Sequence, residues 1–223
     1  MRNELDLDEL VSLHPLLYHM AADGSWPSIA RHGLLSTTAL LDLFQVVDPL
    51  REVVEAQRRF ETVVLTHPVH GRAVVRDQKP MTDASVEAAL RGSGLTPRDW
   101  YLFLNRRVFF WLTEERLITM LTARSYRDHV HTVLVVDARA LVTDHLSEIT
   151  LSPMNSGATR PFPHPRSLDT FKSLSEYPFA RLRRRRSIRN IIVELAVAYS
   201  VPNISDYVAE IRRMRGSHIV ELL

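Results

Sequence analysis

Cysteine is absent from the 223 residues. That excludes disulfide frameworks, thiolate nucleophiles and cysteine-bearing zinc sites, and leaves only a His/carboxylate set open to a metal. Lysine is almost missing as well: of 28 basic residues, all but Lys79 and Lys172 are arginine. Guanidinium groups suit bidentate contacts to phosphate and carboxylate, but genome composition alone produces the same bias, so it carries little weight. No apolar run approaches the ~18 residues that a membrane-spanning helix needs. The opening "MRNELDLDELVSL" is acidic and has no basic segment leading into an apolar one, so no signal peptide is expected and the reading is cytoplasmic. Gly-rich phosphate loops, H-E-x-x-H and G-x-S-x-G are all missing. "HPVH" at His67 to His70 and "HVH" at His129 to His131 have spacings that a metal can use, yet lack matching carboxylates.

What remains is an ordinary globular composition, 45% apolar and 24% charged with a formal net charge of +2. There is no internal repeat and no Gly/Ser linker, which predicts one α+β domain over residues 1–223. Period and caps predict helices over Asp6–Leu13, over "SWPSIARHG" with Pro27 near its start and Gly33 at its end, through "ALLDLFQVV" behind Ser36, and over Leu50–Arg59. "VVLTHPVHGRAVV" reads as a hairpin. Helices over Asp83–Arg91 and Thr96–Asn105 follow, then a strand at Val108–Leu112 and a helix capped by Thr113. A strand at Thr132–Val136, a helix from Asp137 and a strand at Glu148–Leu151 lead into the proline-rich loop Ser152–Phe171, where no regular structure is expected. "NIIVELAVAY" predicts a strand, Ile204–Met214 a helix, and "SHIVELL" a closing strand.

Within that frame Glu194 stands out, because "IIVELAV" surrounds it with apolar neighbours on both faces. A carboxylate there either sits on an edge strand facing water or lines a cleft with a partner, since burying it alone costs several kcal/mol. His19 in "LLYHMAA" has two readings, a core histidine satisfied by main chain or a ligand-holding group. Phe109, Phe110 and Trp111 are core unless strand alternation turns a ring into a cleft, where it would stack on a flat heterocycle. "GRAVVRDQKPM" groups Arg72, Arg76, Asp77, Gln78 and Lys79 as either a solvated turn or a phosphate contact. "RLRRRRSIRN" is by default solvated, but it immediately precedes the Glu194 strand.

Three blocks in order, "LYHMAADGSWPSIARHGLLS", "VFFWLT" and "IVELAVAYSVPNISDYV", resemble the ADP-ribosyltransferase fold, in particular the DarT-type DNA ADP-ribosyltransferases and more distantly RNA 2'-phosphotransferases. The chain also resembles an uncharacterised bacterial domain family that shares "RDQKPM", "FFWLTEERL" and "LSPMNSG". The first resemblance implies a split mixed or antiparallel sheet with peripheral helices and NAD as co-substrate. His19, with Tyr18 and Met20, would hold the nicotinamide ribose or amide, and Phe110 or Trp111 would flank the ring. Glu194 would be catalytic on the ribose 2'-hydroxyl, with Arg76 as the catalytic or phosphate-binding arginine. Arg183, Arg184, Arg185 and Arg186 would bind a DNA or RNA acceptor, as in a toxin or defence effector with an antitoxin partner. NAD hydrolysis and a non-catalytic nucleotide- or RNA-binding module are the alternatives. No Glu-x-Glu pair is present and Ala21 stands where a threonine often follows the histidine, so the acceptor stays open.

Overall fold

The computed structural model describes residues 5–223. Asp6 caps α1 (Leu7–Leu13), which leads into β1 (Leu16–Ala22). Next come α2 (Trp26–His32), the two-residue β2 (Leu34–Leu35), α3 (Thr37–Leu43) and α4 (Leu50–Ala56). Gly33 ends α2 at φ +83°, and a Cβ there would lie 2.6 Å from the Pro202 Cα. Only glycine lets the chain pass that point unstrained. The hairpin β3 (Val63–His67) and β4 (Gly71–Val75) precedes α5 (Asp83–Ala89) and α6 (Pro97–Asn105), both opened by reciprocal threonine caps. Then follow β5 (Arg107–Trp111), α7 (Glu114–Leu121), β6 (Val130–Asp137), α8 (Ala138–His145) and β7 (Ile149–Ser152). After the long loop come α9 (Phe179–Arg183), β8 (Glu194–Ala198), β9 (Ser200–Val201), β10 (Val208–Arg215) and β11 (His218–Leu222).

Seven strands form one sheet in the order β11-β10-β6-β1-β5-β8-β7, and every pairing in it is antiparallel. On one face α1 and α8 cover Leu17, Val108, Phe110, Leu134, Leu195 and Val197. On the other, α7 buries Leu117 and Leu121 against Tyr18, Met20, Val133 and Val135. The protein is thus α+β, with a large antiparallel sheet between layers of helix.

Two departures from the sequence expectations matter. Ile204–Met214 is not a helix: a 3-10 turn at Ile204–Asp206 gives way to β10, which ladders along β6. Its apolar residues fall at Val208, Ile211 and Met214, a three-residue spacing that mimics a helix. A bulge between Val208 and Glu210 returns Val208 to the face that Ile211 occupies, so a strand accommodates the spacing. The Glu194 strand is also shorter than expected, with a 3-10 turn at Ile188–Asn190 before it.

The centre of the sheet is splayed. β1 pairs with β6 along all of its residues, and β5 pairs with β8 from Arg107 to Trp111. Between β1 and β5 the ladder holds one register pair, Tyr18 with Trp111. Beyond it the strands part.

Candidate active site

His19 stands at the start of that wedge. Its Nδ1 donates to the Phe109 carbonyl at 2.8 Å, so the ring takes the place of a ladder bond, and it packs 5.7 Å from the Phe110 ring. Main chain thus satisfies one ring nitrogen, as the core reading of His19 expects, and the residue also lines a cavity of about 400 Å³. Burial, helped by the nearby Arg76 charge, drives its pKa down to about 4 against the pull of the Phe109 carbonyl, so the imidazole is neutral at pH 7. The rest of this first cavity comes from the end of β1, from α2 and its turns, from β4 and from Arg107 to Phe109.

A second cavity of about 230 Å³ adjoins it and contains Glu194, Trp111, Tyr126 and the loop residues Asn155 to Gly157. The two share a wall of Thr37, Arg59, Arg76, Asp77, Arg107 and Phe109. Tyr18, Trp111 and Glu194 lie in register across three strands, which sets Glu194 on the face opposite His19. The resemblance implies one NAD cleft faced by both His19 and Glu194, and the structure corrects this: the two line separate cavities on either side of a common wall.

Glu194 is 4% exposed, on a strand flanked by β5 and β7, which removes the edge-strand reading. Its Oε2 accepts the Ser156 amide at 3.0 Å. Burial lifts its pKa to about 7, although Ser156 and then the charges of Arg166 and Arg116 pull it down. A carboxyl poised near neutrality in a cavity is able to hold, take up or release a proton under ordinary conditions.

Arg76 faces both cavities. Its Nη1 reaches the Met20 carbonyl at 3.4 Å, its guanidinium lies 4.8 Å from the Tyr126 ring centre, and its buried Nη2 has no hydrogen-bond partner among the described residues. Burial lowers its pKa, opposed by Tyr126 and Asp77. The rest of "RDQKPM" holds that arginine in place. Asp77 Oδ1 accepts from the Tyr126 hydroxyl at 2.8 Å, and Gln78 exchanges two bonds with the main chain of Arg59. Buried Arg59 in turn donates from Nε to the Arg76 carbonyl at 2.8 Å and from Nη2 to Asn105 Oδ1 at 3.0 Å. Arg107 leans on the Phe103 ring at 3.5 Å, its pKa lowered by burial to about 10.

Among the aromatics the structure corrects two assignments, Phe110 and Tyr18. Phe110 is 1% exposed, packs into the α1–α8 core and lines neither cavity. Alternation turns Phe109 and Trp111 the other way, and Phe109 borders both cavities. Tyr18 also lines neither and packs under α7, whereas Met20 lines the first. Arg183 to Arg186 are exposed. Arg183 lies 3.5 Å from Glu9, and Arg186 donates to the Pro153 carbonyl at 2.6 Å. Arg185 and Arg186 border a shallow depression with Arg116 and Asn155, and Asn155 also borders the Glu194 cavity. Among the described residues no group of three His, Asp or Glu has the geometry to hold a metal ion; His67 and His70 stack with ring centres 4.6 Å apart. Nor, among the described residues, is any helix long and apolar enough to cross a membrane.

Sequence reasoning missed Arg59, Tyr126, Ser156 and Arg166. None sits in an unusual local pattern: Arg59, Tyr126 and Ser156 gain their roles from partners elsewhere in the chain, and Arg166 from the main chain of its own loop.

Fold and site together define an α+β protein whose splayed antiparallel sheet opens onto a paired, arginine-lined cavity. The chain belongs to DUF7002, a family of unknown function, whose model matches residues 15–208. That span contains every cavity residue named above. No curated protein matches the chain.

Proposed function

We propose that the protein is an NAD-dependent ADP-ribosyltransferase with an ADP-ribosyltransferase-like split sheet, and that its acceptor is a nucleic acid. The observation that carries this reading is the common wall: a neutral histidine in the wedge and a buried carboxyl near neutrality lie on either side of an arginine with an unpartnered donor. Cavities of about 400 and 230 Å³ that share this wall have together the room for a ligand of dinucleotide size. The donor set suits NAD in kind, since Arg76 offers a free N–H to a phosphate and Phe109 and Trp111 offer rings to a heterocycle.

In this reading NAD is the co-substrate and bridges the wall. Arg76 holds its pyrophosphate. His19 reaches the nicotinamide amide from the first cavity, and Phe109, which borders both cavities, flanks the ring in place of Phe110, while the ribose lies in the second cavity. The ribose C1'–nicotinamide bond breaks, nicotinamide leaves with the bonding pair, and positive charge develops on the ribose. Ionised Glu194, on the 2'-hydroxyl, meets that charge or orients the acceptor. An acceptor nucleophile then bonds to C1' and passes its proton to the Glu194 carboxylate. The depression beside Asn155 leads the acceptor strand toward that point, with Arg183 to Arg186 neutralising its backbone. A cytoplasmic toxin or defence role, with an antitoxin partner, fits an enzyme that modifies nucleic acid.

The test is incubation with NAD and single- or double-stranded oligonucleotides, following nicotinamide release and oligonucleotide mass. Release with a mass gain, both lost in Glu194→Gln and Arg76→Leu, is the expected result. Release without mass gain identifies NAD hydrolysis instead. No release from the folded wild type, with oligonucleotide still bound, leaves a non-catalytic binding module.

A further inference from the structure

The loop between β7 and α9 has no regular element beyond a 3-10 turn at Leu168–Thr170, yet it is fastened along its length. Ser152 Oγ donates to the Met154 carbonyl at 2.8 Å, buried Thr159 pairs with Ser85 Oγ at 2.6 Å, and the Arg166 amide donates to the Ala89 carbonyl at 2.8 Å. At its centre lies the Arg166 side chain, 4% exposed. Its Nη1 donates to the His164 carbonyl at 2.7 Å, and its Nη2 donates to the carbonyls of Asn155, at 3.1 Å, and Ala158. Asn155 and Ala158 stand on either side of Ser156 and Gly157, and the Ser156 amide is the main-chain donor on Glu194. Burying a cation against carbonyls alone is costly, and among the described residues no carboxylate lies within ion-pair distance of Arg166. Its charge instead acts at longer range on Glu194.

We propose that Arg166 is a positioning residue for Glu194: by clasping the loop on both sides of Ser156, it holds the amide on the carboxylate without touching any substrate. This rests on the reading that Glu194 contacts the substrate ribose. The electrostatics agree, since Arg166 and Arg116 both favour the ionised carboxylate against its burial. The charged groups that line the cavity beside Glu194 are Arg59, Arg76, Asp77 and Arg107.

The test uses the full chain with carbon-13-labelled glutamate carboxyls and no substrate. The Glu194 resonance is identified by its loss in Glu194→Gln, and its titration midpoint is followed in wild type, Arg166→Met and Arg166→Lys, each checked for cooperative unfolding. Arg166→Met is expected to raise the midpoint by about one pH unit, the size of a removed nearby charge with a loosened hydrogen bond. Arg166→Lys keeps the charge but cannot fork to three carbonyls. It is expected to raise the midpoint by less and to abolish the slow hydrogen exchange of the Ser156 amide. An unchanged midpoint in folded Arg166→Met overturns the proposal. Where that variant does not fold, an unchanged midpoint with retained Ser156 protection in Arg166→Lys overturns it. The midpoint is read without NAD, so a wild type that turns over no NAD removes the proposed reaction and leaves this coupling to stand or fall by itself. With turnover present, the pH profile of Arg166→Lys shifts upward together with the midpoint.

Discussion

Replacing Glu194 with glutamine should make stability less dependent on pH, in a direction that the burial of the carboxyl dictates. In the unfolded chain the group titrates near its ordinary value of 4.5, and in the fold at about 7. The folded state therefore holds the proton more tightly. Its preference for the protonated form adds stability that is complete below pH 4.5, and this is lost as pH rises through 7. A gap of that size corresponds to about 3 kcal/mol, at 1.36 kcal/mol per pH unit, most of it lost between pH 5 and 7.5. Glutamine keeps the shape and still accepts from the Ser156 amide, but carries no proton to lose. Its own offset, including an amide donor that must find a partner, is constant with pH. The assay is urea denaturation of both proteins at constant ionic strength from pH 4.5 to 8. Subtracting the two profiles cancels every other titrating group. The difference should tilt by about 3 kcal/mol in favour of the variant as pH rises. Parallel profiles would refute the claim that Glu194 is buried and poised near neutrality.

Two further outcomes follow from other parts of the site. His19, whose Nδ1 faces a carbonyl that can only accept, should show the Nδ1–H tautomer in nitrogen-15 spectra at pH 7 and protonate near pH 4. Because its folded pKa lies below the ordinary 6.5, its contribution is complete above pH 6.5 and is lost on acidification toward 4; a resonance titrating near 6.5 contradicts this. Neutralising Arg183 to Arg186 as glutamines should weaken oligonucleotide binding and flatten its salt dependence, by about 0.7 in the log–log slope for each single-strand phosphate that the protein no longer neutralises. An unchanged slope returns the run to solvent.

Much of the fold was legible because its signals are local. Thr96 with Pro97, Thr113 and Asp137 each announce a helix start within four residues, and each caps one. The burial of Glu194 was legible because its apolar neighbours occupy both strand faces, leaving a carboxylate no dry place except a cavity. β10 was not, because its strand character comes from laddering on β6, far back along the chain, and its bulge disguises the period. The choice between Phe110 and its neighbours was equally hidden. Adjacent aromatics differ only in which face they point to, and that parity is set by the register of β5 against β8. Arg166 was least visible of all: in a proline-rich loop nothing local separates an arginine that clasps main chain from one in water.

The single register pair between β1 and β5 has a consequence for recognition. A sheet normally keeps its unsatisfied strand edges at its rim, where they invite pairing with other chains. Here the parting of two central strands turns a pair of edges inward, shielded by α2, by the β3–β4 hairpin and by the arginine wall. Side chains of the site stand in for the missing ladder there, His19 Nδ1 on the Phe109 carbonyl and Arg76 Nη1 on the Met20 carbonyl. Substituting either side chain would therefore uncover a pairing edge in the middle of the sheet, so these two residues guard the fold as well as line the site.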